Sequence, residues 1–169
     1  MRYGLVCMAS QGLVFGINRR VSFSIQSRHA AYPPDCWQLH IDGSAMPNPG
    51  RMAVGAVLQA PDGTQHHFSQ ALPGTGCNNE AEMQALVLGI EQLQSLGGRR
   101  VVVHTDSSVL LDQLHPPPNA RHAPRAIARL AQRMAQLRER LDRLDYVELR
   151  WVPRHRNTQA DALARAALV

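Results

Sequence analysis

The chain has 169 residues, 44% of them hydrophobic, which is material for one packed domain with or without a tail. No stretch reaches the ~20 consecutive apolar residues of a membrane span, so hydropathy gives no support to a bilayer role. The formal charge of +5 leans toward a polyanionic partner and away from an acidic, purely solvating chain.

All 18 basic residues are arginine, which pairs bidentately with phosphate, although coding bias would give the same count. Cys7, Cys36 and Cys77 are odd in number and share no metal-ligand spacing. They read as reduced thiols in a cytoplasmic protein.

Residues 1–35 carry Arg2, Arg19, Arg20 and Arg28, several serines and no acid before Asp35. An organelle transit peptide has that composition. A loosely ordered tail, or a leader from a misassigned start codon, fits as well, so 1–35 is set apart as an extension of unknown role. From Trp37 the pattern alternates: Trp37, Leu39 and Ile41 face one way, Gln38, His40 and Asp42 the other, as in a half-buried strand. A Gly/Pro turn at Pro47–Gly50 leads to a second strand, Ala53–Ala60. Pro61-Asp62-Gly63 then turns a hairpin into a third, Thr64–Leu72.

Met83, Leu86, Val87, Ile90 and Leu93 form the apolar stripe of a helix that ends at Gly97-Gly98. Val101–Val103 is a continuous apolar run, as in a central strand covered on both faces. A short helix from Ser107 stops at Pro116-Pro117-Pro118. A longer one from about Pro124 turns Ile127, Leu130, Met134, Leu137, Leu141 and Leu144 inward. Val147, Leu149 and Trp151 make a last strand, and Asn157 opens a closing helix. The order βββαβααβα describes an α/β domain with a mixed sheet flanked by helices.

Four carboxylates stand out, each inside a short signature: Asp42 in IDGSAMPNPG, Glu82 in CNNEAEMQAL, Asp106 in VVVHTDSS and Asp161 in RNTQADALARAAL. Separations of 40, 24 and 55 residues mean that only a fold could unite them. Two like charges ~4 Å apart repel by roughly 4 kcal/mol at an effective dielectric of about 20. A cluster of four therefore needs a divalent cation or raised pKa values, and carboxylate oxygens suit Mg²⁺ or Mn²⁺. Taken singly, each acid has a structural excuse. Asp106 suits a helix N-cap, Asp161 a first helical turn, Glu82 a capping box begun by Asn79, and Asp42 a turn. Glu80 rivals Glu82, because the two flank the Met83/Val87 stripe at similar angles on opposite sides.

Together these segments resemble the type 1 ribonuclease H family, from about Trp37 to Leu168. The resemblance rests on the DGS turn with its Pro-Asn-Pro-Gly, the paired Asn before the helical Glu, the TDS tripeptide and the terminal Asp-Ala-Leu-Ala helix. It implies a ribonuclease H domain over 36–169 with a five-stranded mixed sheet. It also implies an endonuclease that cuts the RNA strand of RNA–DNA hybrids, leaving 5′-phosphate and 3′-hydroxyl ends. Asp42, Glu82, Asp106 and Asp161 would hold two Mg²⁺ or Mn²⁺ ions, and the family pattern selects Glu82 over Glu80. His155 matches a family His that helps product leave or shuttles a proton, although here it stands only six residues before Asp161, and a surface His in a basic loop with Arg154 and Arg156 fits it equally.

Asn78 and Asn79 match a pair that reaches both strands of the hybrid in the minor groove, and Gly43, Ser44, Asn48 and Ser107 complete the expected substrate contacts. Cys77 replaces a Thr that often binds a DNA phosphate in the family. The short, Pro-rich His115–Ala123 replaces a basic protrusion. Arg121, Arg125, Arg129 and Arg133 recur every four residues and fit either a substitute set of phosphate contacts or a solvated helix face with pairs such as Glu139–Arg143. A monomer is expected, with the hybrid as partner and no membrane.

Overall fold

The computed structural model describes residues 33–115 and 130–169, together with the backbone of 20–24. Six strands form one sheet: β1 (Arg20–Ser24), β2 (Trp37–Met46), β3 (Gly50–Gln59), β4 (Gln65–Gly76), β5 (Arg100–Thr105) and β6 (Tyr146–Trp151). Their spatial order is β1-β6-β5-β2-β3-β4. The pairs β1–β6, β6–β5 and β5–β2 are parallel, while β2–β3 and β3–β4 are antiparallel hairpins. The five expected strands make the body of the sheet. Arg20–Ser24, inside the segment that the sequence left unassigned, adds a sixth at the edge.

Helices α1 (Asn78–Ser95), α2 (Ser108–Leu114), α3 (Ala131–Asp142) and α4 (Thr158–Ala166) flank the sheet. Leu39, Ile41, Val54, Ala56, Val101, Val103, Val147 and Leu149 point to one face and pack on Leu86, Ile90, Leu93, Met134, Leu137 and Leu141. This is the main core. Leu130 and Leu144 are buried with it as expected, whereas Ile127 and the start proposed at Pro124 lie outside the described residues. The last strand differs in one respect: Trp151 is partly exposed and does not continue the inward row of Val147 and Leu149. Among the described residues no helix is long and apolar enough to cross a membrane.

β2 runs four residues beyond Asp42, because Gly43–Met46 continue the antiparallel ladder with β3 as far as the pair Met46–Arg51. Its parallel partner β5 stops earlier, the last matched pair being His40–His104. Asp42 therefore lies inside its strand, at the level where the neighbouring strand has just ended, and not at a strand terminus.

Candidate active site

That step in the sheet edge is where the acids collect. The β2–β5 register sets His40 on His104, with ring centroids 4.4 Å apart, so Asp42 and Asp106 follow two residues later on neighbouring chains. Two glycines admit helices from opposite faces. A Cβ on Gly43 would lie 2.1 Å from the Ala81 carbonyl carbon, so only Gly lets the first turns of α1 press onto β2 there. On the other face Gly55, paired with Asp42, allows α4 to approach: a Cβ would lie 2.2 Å from Ala160 O. The first contact delivers Glu82 and the second brings Asp161.

Carboxylate oxygens of Asp42, Glu82 and Asp106 lie within 4.8 Å of one another. Asp42 and Glu82 are buried. Burial first, then the charges of Asp106 and Asp161, push the Asp42 carboxyl up to about 7. Burial, the charges of Asp42 and Asp106 and a hydrogen bond with the Asp42 side chain push Glu82 up to about 9. The Gly43 N–H donates to the Glu82 carboxylate and partly opposes that rise. Glu82 Oε2 is buried with no hydrogen-bond partner. A buried, unsatisfied carboxylate oxygen beside two further acids is the donor set of a hard divalent cation, and oxygen-only ligation suits Mg²⁺ or Mn²⁺.

Asp161 stands beside this trio, close enough to raise Asp42, but its carboxylate is held by two arginines. Arg154 Nη2 donates to Oδ1 at 2.8 Å, and Arg165 Nε lies 3.0 Å from Oδ2 one turn along α4. The pairing raises the Arg154 guanidinium, and Asp42 and Asp106 add to the effect. Neither arginine was singled out from the sequence. The Asp161–Arg165 spacing of four was the legible signal for one, while Arg154 read only as part of a basic loop.

Asn157, read only as a helix opener, is 2% exposed and donates to Ile41 O at 2.8 Å and to Asp106 Oδ1 at 2.9 Å. The Trp151 indole N–H donates to Asp106 O at 3.2 Å. Beneath the acids, burial lowers the His40 imidazole, and contact with Asn157 partly restores it. His104, bonded to Gln38 Oε1 at 2.8 Å, is lowered to about 3 by burial and by the charges of His40 and Arg150.

The helix-start excuses resolve residue by residue. Ser107 caps α2, its Oγ accepting from Leu110 N at 3.3 Å, which leaves Asp106 free of that task. α1 begins at Asn78 with Cys77 in the N-cap position, so the capping box expected from Asn79 to Glu82 does not form. Glu80 falls in the first turn and pairs with Arg133 at 2.6 Å. Geometry separates the two glutamates: Glu80 faces α3, and Glu82 faces the acids.

The remaining candidates spread around this centre. Asn78 Oδ1 accepts from Ala45 N at 2.8 Å, and Asn78 N donates to Asn48 Oδ1 at 3.2 Å, so the pair Asn48/Asn78 ties the β2–β3 turn to α1. Asn79 and Ser44 are half-buried nearby. His155 is exposed in a single 3₁₀ turn, Arg154–Arg156. Of the arginine row, Arg121, Arg125 and Arg129 lie outside the described residues. Arg133 spends its charge on Glu80.

Comparison with known proteins gives the family. Residues 40–167 match a family model described as reverse transcriptase-like. The bifunctional protein Rv2228c of Mycobacterium tuberculosis is 33% identical over 131 residues, 77% of this chain but 35% of its own length. The chain thus spans about a third of that relative. The crystal structure of RNase H1 from Halobacterium salinarum superposes with a TM-score of 0.66 at 31% identity, over 78% of this chain and 96% of that one. LC11-RNase H1, solved in complex with an RNA/DNA hybrid, gives 0.63 at 26% identity over 78% and 95%. The chain belongs to the ribonuclease H family, in its type 1, RNase HI-like branch.

Proposed function

We propose that the protein is an endoribonuclease that hydrolyses the RNA strand of RNA–DNA hybrids with the help of divalent cations. The observation that carries this reading is the convergence of Asp42, Glu82 and Asp106 from three separate elements to within 4.8 Å. Burial and mutual repulsion raise Asp42 and Glu82, and a divalent cation among the three would relieve that repulsion. Family membership and the hybrid bound by LC11-RNase H1 supply the substrate class.

Asp42 and Asp106 would sit between or beside two Mg²⁺ or Mn²⁺ ions, with Glu82 and Asp161 completing the set. Bound there, the two ions would supply an activated water and charge stabilisation of the leaving oxygen. The chain's own residues would do the rest. Glu82 would lie on the side of the ribose 2′-hydroxyl, which distinguishes RNA from DNA. Asn78 and Asn79, with Gly43, Ser44, Asn48 and Ser107, border the acids where a minor groove would pass. Amide groups can donate and accept there. Asn78 already spends its oxygen on Ala45 N, so its amino group is the part left for substrate. His155, exposed six residues before Asp161, would take up or deliver a proton as product leaves.

The test is a substrate panel with products analysed at their ends. Strand-labelled RNA–DNA hybrid, duplex RNA, duplex DNA and single strands would be incubated with Mg²⁺ or Mn²⁺. The reading expects cuts confined to the RNA of the hybrid, with 5′-phosphate and 3′-hydroxyl products. Preference for branched or single-stranded DNA would assign the site to a different nuclease class.

A further inference from the structure

Asn157 is the point at which three elements meet behind the acids. It occupies the N-cap position of α4, where an Asn ordinarily turns its oxygen onto the helix's free N–H groups. Here the side chain makes no such bond. The amide is turned inward instead. One hydrogen bond from Nδ2 goes to Ile41 O, in the peptide that leads into Asp42, and the other to Asp106 Oδ1. A purely structural Asn at this position would turn its oxygen outward to cap α4. The orientation adopted is the one that places two donors on the two acid-bearing chains.

We propose that Asn157 is a positioning residue, whose Nδ2 fixes the Asp106 carboxylate beside Asp42 and Glu82 in the orientation that binds a divalent cation. The proposal rests on the reading that Asp106 is a metal ligand. Groups that hold a ligand in place from behind are worth about 10- to 100-fold in metal affinity. Asn157 also sets the spacing, since Ile41 O lies on β2 and Asp106 at the end of β5, so one amide ties both backbones together.

The experiment is a titration of the metal-free, folded protein with Mn²⁺, followed by calorimetry. It uses wild type, Asn157→Ala, Asp106→Ala and the double variant. Asn157→Ala should bind Mn²⁺ at least tenfold more weakly than wild type. In the Asp106→Ala background the same change should cost no further affinity, because its route of action is gone. Affinity within twofold of wild type, or an equal loss in both backgrounds, would overturn the proposal and leave Asn157 a structural residue. Wild type that binds no Mn²⁺ would overturn the metal-site reading itself, a different outcome from tight binding that ignores Asn157. Should Asn157→Ala not fold, nitrogen-15-labelled wild type decides. Saturating Mg²⁺ should shift the Asn157 side-chain amide resonances, and unmoved resonances would overturn the proposal.

Discussion

His40 and His104 stack at 4.4 Å, and the parallel register that they mark carries directly on to Asp42 and Asp106. A slip of one residue between β2 and β5 would turn one acid to the opposite face of the sheet. The site therefore depends on strand pairing as much as on the acids.

The raised carboxyls predict how the metal-free protein responds to pH. Asp42 and Glu82 are lifted from ordinary values of 3.8 and 4.5 to about 7 and about 9. The folded state then binds more protons than the unfolded one between those limits, so this pair's contribution to stability falls as pH rises. The buried histidines act in the other direction at the acidic end, being lowered below 6.5. Comparing wild type with Asp42→Asn isolates the carboxyls. The variant's advantage over wild type should be small near pH 4.5 and clearly larger at pH 8 in chelator. Urea unfolding at both pH values measures this, and an Asp42→Asn variant less stable than wild type at pH 8 contradicts it.

The two glutamates of α1 should separate cleanly. Glu82→Gln is expected to abolish metal-dependent hybrid cleavage, whereas Glu80→Gln should retain it while weakening the partly exposed pair with Arg133. Such pairs are worth about 0–1 kcal/mol, so Glu80→Gln should unfold within that range of wild type. Cleavage assays on both variants decide the assignment, and the reverse pattern would refute it.

Gly55 offers a test of how α4 is docked. A methyl group there would meet Ala160 O at 2.2 Å and Ala164 N at 2.6 Å, backbone atoms that cannot turn aside. Gly55→Ala should destabilise the protein by about 3 kcal/mol, the upper end of ordinary overpacking. It should also lower activity by displacing Asp161. Denaturant unfolding that matches wild type would show that α4 sits farther from the sheet.

A buried ion pair lies behind the histidines. Arg150 grips Glu148 with Nε at 2.7 Å and Nη2 at 3.0 Å, and the Tyr146 hydroxyl donates to the same carboxylate at 2.8 Å. Both charged residues are buried. Removing one partner strands the other, so Arg150→Met should cost roughly 3–5 kcal/mol. The double variant Glu148→Leu/Arg150→Met should recover most of that loss. Thermal unfolding of the three proteins measures the coupling, and equal losses in both variants would argue against it.

Much of this was legible in the residues. The alternation from Trp37 to Asp42 and the apolar run Val101–Val103 report burial directly, and burial is what periodicity records. The extension of β2 through Gly43–Met46 was hidden because Gly, Ser and Ala carry little hydropathic contrast. β1 was hidden because a parallel edge strand is defined by its partner Tyr146–Arg150, over a hundred residues away. The acids were visible as signatures, but their partners were not. Arg154 and Asn157 look like ordinary loop and cap residues until the fold sets Asp161 and Asp106 beside them. Glu80 and Glu82 were equivalent by angle, and only the location of α3 with Arg133 separates them.

The acid cluster is proposed to cut the RNA of a hybrid. Its most direct test is the rate of Mn²⁺-dependent cleavage of a labelled RNA–DNA hybrid by wild type and by Asp106→Asn. The account predicts RNA-strand cleavage by wild type and a loss of at least about a thousandfold in the variant, the scale of removing one strong electrostatic contact to the transition state. Equal cleavage by both proteins, or none by folded, Mn²⁺-binding wild type, would contradict it.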